Sequence, residues 1–433
     1  MTEKRTIRVK QLTRVEGDGG LVVTIKDGRV AQAAFTVTEP PRLFEAFLRG
    51  RRYSEVPDIT ARICGICPLA YMLSACQAME NGFGLTVDAS STNLRRLVFL
   101  GEWIASHSLH VYLLHAPDFF GLPDALSLAS QYPDIVRRGL RLKQIGNAIV
   151  RCVGGRAVHP VNLRVGGFYR YPSRQDLLAL SDDLEWALDA ARATVDWTAA
   201  FSFPEFDRDY TFMALSHPTH YALLEGRLQT STGAALAIGD FESHVQEQQV
   251  AHSTALHAFS REDGAYLVGP LARFNLNFDQ LSPAARSAAQ SVGLMPSCTN
   301  PFKSIVVRSV EIVHACEEAL ELIHRDYATE PAPVAVTPLA GTGYGCTEAP
   351  RGVCWHRYRM DEEGTVLDAR IIAPTSQNQA IIESDLRAFA DAHCNLPPDQ
   401  LQRRCELVVR NHDPCISCSC HIMDTTGYGA GAS

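Results

Sequence analysis

No stretch of the 433-residue sequence approaches the ~18 to 20 consecutive apolar residues of a membrane span. The charged opening, MTEKRTIRVKQ, has no apolar segment behind it, so neither a membrane helix nor a signal peptide is expected. Long runs of one charge are missing too. With 40 Lys and Arg against 48 Asp and Glu the formal net charge is −8, and no basic run exceeds a few residues, which excludes a general attraction to phosphate backbones and makes nucleic acid an unexpected partner. Only 20% of residues are charged while 46% are hydrophobic, too apolar a balance for a disordered chain. Internal repeats and low-complexity tracts are absent. The sequence is not short of cysteine: it has 13, most of them single and in apolar surroundings, such as Cys152, Cys316 and Cys405. Those read as free thiols packed as small hydrophobes in a reducing compartment, and a cytoplasmic location is expected.

Alternation in Leu21-Val23-Ile25 and from Val30 to Val37, around Asp27-Gly28, predicts that the chain opens with antiparallel strands and a two-residue hairpin. Beyond Pro40-Pro41 the pattern turns helical. A helix should begin at Pro68, and others are expected over Asn93 to Leu114, Asp134 to Cys152, Arg174 to Ala200, a broad middle region from Tyr221 to Phe259, and Lys303 to Tyr327. Glu330-Pro331-Ala332-Pro333 breaks this body, and Trp355 to Met360 and Val366 to Ile372 read as strands flanking a turn. The expected fold is α+β and mostly helical, a large helical bundle with small antiparallel β elements from both ends of the chain. Its parts would be an N-terminal β region over about 5–38, a helical body over about 40–328, and a C-terminal β and metal-ligand region over about 334–421, in one unit that packs the two ends together.

Arg62-Ile63-Cys64-Gly65-Ile66-Cys67 sets a Cys-x-x-Cys pair just ahead of the Pro68 helix, where free backbone N–H groups and the helix dipole favour thiolates. A second pair, Cys415 and Cys418, lies in Asp413-Pro414-Cys415-Ile416-Ser417-Cys418-Ser419-Cys420-His421. Because the architecture brings the ends together, four thiolates could share one site. Either pair alone is often a redox dithiol or half a zinc site. Zinc ribbons keep their pairs within ~15 to 20 residues, whereas these are separated by nearly the whole protein. Ligand softness leaves zinc and iron-sulfur open, and chemistry alone stops at a four-thiolate metal site.

Those two cysteine motifs together resemble the large subunit of nickel-iron hydrogenases. Further segments agree in order: Arg14-Val15-Glu16-Gly17, Gly154-Gly155-Arg156-Ala157-Val158-His159-Pro160, Thr347-Glu348-Ala349-Pro350-Arg351-Gly352, and Pro374-Thr375-Ser376-Gln377-Asn378. The resemblance implies that family's large-subunit fold and a nickel held by four thiolates, Cys64 and Cys415 terminal, Cys67 and Cys418 bridging to an iron with carbonyl and cyanide ligands. Hydrogen would be split heterolytically there, with Arg351 or the Cys415 thiolate taking the proton and Glu16 relaying it outward. Asp118 and Asp413 would hold the Arg351 guanidinium near the metals, and Arg351, Thr375 and Pro350 would surround the diatomic ligands. Glu45 and His421 resemble ligands of a structural magnesium. As a bare residue Glu16 could be a strand-edge salt bridge, Asp118 a helix cap, Thr375 a turn residue and Glu45 a solvated helix face.

His107 and His110 are read as core or cluster-facing histidines, since neither falls in a ligand motif. Gly341-Thr342-Gly343-Tyr344-Gly345-Cys346 has Cys346 where a dinucleotide fingerprint needs glycine, so it is read as a tight turn, and no NAD, FAD or iron-sulfur cluster is expected on this chain. Tyr71 and Asp18-Gly19-Gly20 look like the soluble class that couples hydrogen to NAD(P)H or sulfur reduction, and a tyrosine at 71 could donate a hydrogen bond to a cysteine sulfur. The implied partners are an iron-sulfur small subunit, a diaphorase flavoprotein with a further iron-sulfur subunit, and a maturation endopeptidase that cuts between His421 and Ile422 to release the tail 422–433. Two readings compete: a relative like the quinone-site subunit of respiratory complex I, which lacks both cysteine pairs, and a helical protein with a structural four-cysteine zinc site.

Overall fold

In the computed structural model, which describes residues 4–327 and 334–420, Asp27 and Gly28 both adopt positive φ (51° and 74°). Left-handed backbone at both central positions is what a tight hairpin turn needs. It joins β2 (Gly19–Lys26) to β3 (Arg29–Val37), and β1 (Lys4–Val9) completes an antiparallel sheet in the order β1-β2-β3. The inner face, with Leu21, Val23 and Phe35, lies on Ile382, Leu386, Leu401 and Val408 from two late helices, α6 (Pro374–Ala392) and α7 (Pro398–Asn411). Beginning and end of the chain therefore share a core.

Between them runs the helical body. The first long helix, α1 (Pro68–Phe83), starts with proline in its first turn and ends at Gly84. It is followed by α2 (Ala89–Leu109), α3 (Pro133–Gly154), α4 (Ser181–Ala199) and α5 (Ser304–His324). Leu97, Leu100 and Ile104 of α2 pack in one core with Ile145 and Ile149 of α3 and Val306, Val310 and Val313 of α5. Past Leu109 the helix widens into a π-helical turn, His110–His115. The run Ala89–Phe119 is long and apolar enough to cross a membrane by length and composition, contrary to expectation, and 78% of its apolar window is buried inside the molecule.

Two stretches differ from the sequence reading. The region from Tyr221 to Phe259, expected as helix, instead holds strands Arg227–Thr230 and Ala235–Leu236 and the hairpin of β4 (Val245–Gln249) with β5 (Leu256–Ser260). Its apolar residues suited either period, and pairing with distant partners decided. The glycine-rich segment read as a tight turn is strand β6 (Gly341–Ala349), first in an antiparallel sheet with β7 (Gly352–Met360) and β8 (Val366–Ile372). Its glycines serve close packing. A Cβ on Gly343 would sit 1.9 Å from the Ala78 carbonyl oxygen, and one on Gly345 would sit 2.0 Å from that of Ser74, so α1 lies directly on bare backbone. Ser74 Oγ and Thr347 Oγ1, 2.9 Å apart, tie the two together.

Candidate metal centre

The cysteine pairs converge. Cys67 precedes α1, and its neighbour Cys64 ends a short turn of 3-10 helix (Ala61–Ile63). No side chain of Cys67 caps α1; the Glu102 carboxylate from α2 accepts the first-turn N–H groups of Leu69 (2.7 Å) and Ala70 (3.3 Å) instead. From the other end, Asp413 takes a positive φ of 49° before Pro414 and turns the chain back from α7. A one-rung parallel bridge then lays Cys415 beside Glu16, with Ile416 N–H donating to the Glu16 carbonyl at 2.9 Å.

The four sulfurs lie within 4.8 Å of one another and all four residues are buried. Cys64 and Cys415 are 3.5 Å apart at Sγ, and Cys67 and Cys418 3.7 Å. Four thiolates ~2.3 Å from a single ion would stand roughly 3.8 Å apart, and these two spacings suit shared metal ligation, while Cys415 and Cys418 stand closer, at 2.6 Å. Backbone N–H groups of Ile66 and Cys67 point at Cys64 Sγ (3.3 and 3.2 Å). Burial opposes charge here, yet bonds from the other three thiols, with Arg351, hold Cys64 well below the usual thiol range; burial and the neighbouring sulfurs push Cys415 well up, and burial with Cys64 pushes Cys418 up against the opposite pull of Cys415 and Cys67.

Arg351 follows β6 and hangs over this cluster. Its Nε donates to the Asp413 carbonyl (2.8 Å), one terminal nitrogen to Asp413 Oδ1 (3.0 Å) and the other to Ser106 Oγ (3.2 Å). Burial would favour loss of its proton, but Asp413 and the sulfurs of Cys415, Cys67 and Cys64 outweigh that and keep it charged. Asp413 Oδ2 and the buried Tyr71 hydroxyl have no hydrogen-bond partner among the described residues. Unpaired buried polar atoms beside soft sulfur donors are what a site shaped for a polar metal complex leaves when the protein alone is counted. The bond that a tyrosine at 71 could donate to a sulfur is not made among the described residues.

Glu16 Oε2 accepts from Cys415 Sγ at 3.1 Å and from Ser417 N at 3.0 Å. Ser417 Oγ reaches Glu39 at 3.0 Å, a contact the sequence did not foretell, leading from the cluster toward a half-buried carboxylate. Thr375, in the first turn of α6, accepts from Cys415 N at 3.1 Å, which leaves its own hydroxyl hydrogen to donate. The Pro350 carbonyl is taken by Arg273 at 2.9 Å. His110 Nε2 meets the Arg410 carbonyl at 2.9 Å, and His107 Nε2 lies 2.9 Å from Glu311.

Asp118 does not hold Arg351. Its carboxylate receives Arg410 through two bonds (2.8 and 3.1 Å) and Arg14 at 2.5 Å. The end of α7 and the segment leading to Glu16 both reach it first, so it clamps those two pieces together one layer behind the sulfurs. Glu45 is buried, with Oε1 accepting from Ile371 N at 2.9 Å and Oε2 without a partner among the described residues. Burial, reinforced by Glu247, pushes its carboxyl up to about 8. His421 and the expected cleavage point lie outside the described residues.

A fold in which the two ends of the chain deliver four buried cysteine sulfurs beside a buried arginine defines a four-thiolate metal centre. The sequence profile of the nickel-dependent hydrogenases matches residues 42–134. The sulfhydrogenase 2 alpha subunit of Pyrococcus furiosus is 34% identical over 427 residues, covering 96% of this chain and 99% of its own. The beta subunit of the NAD-reducing hydrogenase HoxS of Cupriavidus necator is 27% identical, with 97% and 95% covered. The crystal structure of an NAD+-reducing NiFe-hydrogenase in the H2-reduced state aligns with a TM-score of 0.86 at 25% identity, over 96% of this chain and 99% of that one. This chain belongs to the nickel-dependent hydrogenase family as a large subunit, and its reaction is the cleavage of H2.

Proposed function

We propose that the chain is the catalytic subunit of a heteromeric nickel-iron hydrogenase that converts H2 reversibly to protons and electrons, passing the electrons to an iron-sulfur small subunit. The observation that carries this is the convergence of Cys64, Cys67, Cys415 and Cys418 under Arg351. Cys64, Cys67, Cys415 and Cys418 would hold the metals. Nickel and an iron with carbonyl and cyanide ligands, bound there, supply the electron-accepting centre for heterolytic cleavage. Arg351 would polarise the space beside the sulfurs, and its remaining donors and the Thr375 hydroxyl would serve the cyanides, with Pro350 beside them. Since Arg351 stays charged and Cys415 Sγ lies 3.1 Å from Glu16 Oε2, the thiolate of Cys415 is the better proton acceptor: it would take the proton at Sγ and hand it to Glu16 Oε2, returning to thiolate. Asp413 positions Arg351.

Glu45 and His421 would hold magnesium; the support for this is the Glu45 carboxyl, which burial pushes up to about 8 and whose Oε2 has no partner among the described residues, since a hard cation would replace its proton. The likeness to NAD-reducing relatives favours NAD(P)+ as final acceptor, through a diaphorase flavoprotein and a further iron-sulfur subunit in the cytoplasm. Residues 1–421 would form one unit and 422–433 a tail removed by a maturation endopeptidase. Infrared spectroscopy of the purified complex tests the centre, because metal-bound carbonyl and cyanide absorb where protein does not. Carbonyl and cyanide bands are expected, and Cys418→Ser should abolish them together with nickel retention; a processed wild-type chain without the bands would refute the reading.

A further inference from the structure

We infer that His252, His257 and Glu383 form a second metal site, apart from the thiolates, that takes one divalent first-row transition ion with zinc as the best fit. The ligands come from separate parts of the fold: His257 from β5, His252 from the turn between β4 and β5, and Glu383 from α6. Their donor atoms lie within 4.8 Å of one another.

His257 carries the argument. It is 2% exposed, and its Nε2 has no hydrogen-bond partner among the described residues. A ring nitrogen buried unpaired is costly, and a metal ion is the partner that ends this cost. Burial, helped by His252, lowers its proton affinity to about 4, so it is the neutral imidazole that ligates. His252 Nε2 stands 2.6 Å from Glu383 Oε1, and the two imidazole rings are 5.8 Å apart and nearly perpendicular. Phe35 N donates to the same Glu383 oxygen at 2.9 Å and fixes the carboxylate from behind, as outer partners of metal ligands do.

Two imidazoles and one carboxylate are a zinc donor set, whereas calcium and magnesium ask for oxygen throughout. Because His252 is exposed, the fourth position faces water. Binding would replace the hydrogen bond between His252 and Glu383, and both atoms would turn to the ion. The ion would then pin the β4–β5 turn to α6, whose first turn holds the backbone of Cys415 through Thr375. A second grouping, His217, His220 and Glu225, lacks this signature: the Nδ1 atoms of both rings already meet the Thr219 hydroxyl at 3.2 Å.

The test uses the nickel-loaded complex, washed with chelator, equilibrated with Zn2+ and freed of unbound ion. Elemental analysis should count one zinc per chain, and zinc-edge X-ray absorption should show nitrogen and oxygen neighbours without sulfur. His252→Ala, at an exposed position, and Glu383→Gln, which keeps an acceptor for Phe35, should each weaken retention at least tenfold; His217→Ala should not. Wild-type protein that retains no zinc, sulfur in the zinc shell, or retention indifferent to both substitutions would overturn the site.

Discussion

Arg351 and Arg273 are both buried and both paired with carboxylates, yet they spend their donors differently. A guanidinium has five N–H groups. Arg273 commits all of them, to Glu311 twice (2.7 and 2.8 Å), to Glu348 (3.0 Å), and to the carbonyls of Ala349 (2.8 Å) and Pro350 (2.9 Å). The indole of Trp103 covers its face at 4.3 Å. Arg351 makes three bonds, to Asp413 twice and to Ser106, so two of its donors have no partner among the described residues. A closed network fixes backbone; an open one serves a ligand. They are mechanically linked, because the carbonyls that Arg273 holds belong to the two residues just before Arg351.

The comparison breaks most severely at Arg273. Arg273→Met would leave Glu311 and Glu348 buried without their countercharge, and a cost of about 3–5 kcal/mol is expected, seen as poor recovery of folded chain and a large fall in melting temperature. A variant as stable as wild type would show the network to be dispensable. Arg351→Lys keeps a charge but not the planar fork, so metal content and melting temperature should stay close to wild type while hydrogen turnover falls by about 10²-fold or more. Full turnover in that variant would remove Arg351 from the mechanism.

How much of this was legible in the sequence follows the same division. Residues whose chemistry is tied to spacing could be read directly. Two Cys-x-x-Cys pairs announce thiolates, Pro68 announces a helix start, and Asp27-Gly28 announces a hairpin, because each depends on neighbours in the chain. Residues defined by distant partners could not. Arg273 and Glu311 look like ordinary charges on helices until packing removes them from water, and Glu102 gives no sign that it will cap α1. The strands between Arg227 and Ser260 were read as helix because apolar content was visible but the pairing partner was not. Asp118 is expected beside Arg351 and instead pairs with Arg14 and Arg410: a matched motif points to a carboxylate, whereas only the folded chain shows which arginines reach it.

Glu16 sharpens the contrast on the open side. Glu16→Gln keeps an acceptor near Cys415 and Ser417 but cannot carry a proton, so an intact infrared signature with turnover reduced by about tenfold to a hundredfold is expected. Unchanged turnover would mean that protons leave by another route.

The closed side can be probed by acid, with a smaller effect. Although burial alone would raise the Glu311 carboxyl, Arg273 and the bond with His107 hold it well below the ordinary range. The folded state therefore binds this proton more weakly than the unfolded state does, so the stabilisation is fully present above the ordinary carboxylate pKa and is lost progressively as pH falls from there through the lowered folded value. Glu311→Gln lacks that contribution at every pH. The stability gap between wild type and Glu311→Gln, measured by urea unfolding at a series of pH values, should be widest near neutrality. It should close by up to about 1.4 kcal/mol per unit as the solution is acidified below roughly pH 4.5. A gap that does not change with pH would mean that Glu311 supports Arg273 by shape and hydrogen bonding alone, and the charge pairing would then not be what separates the closed arginine from the open one.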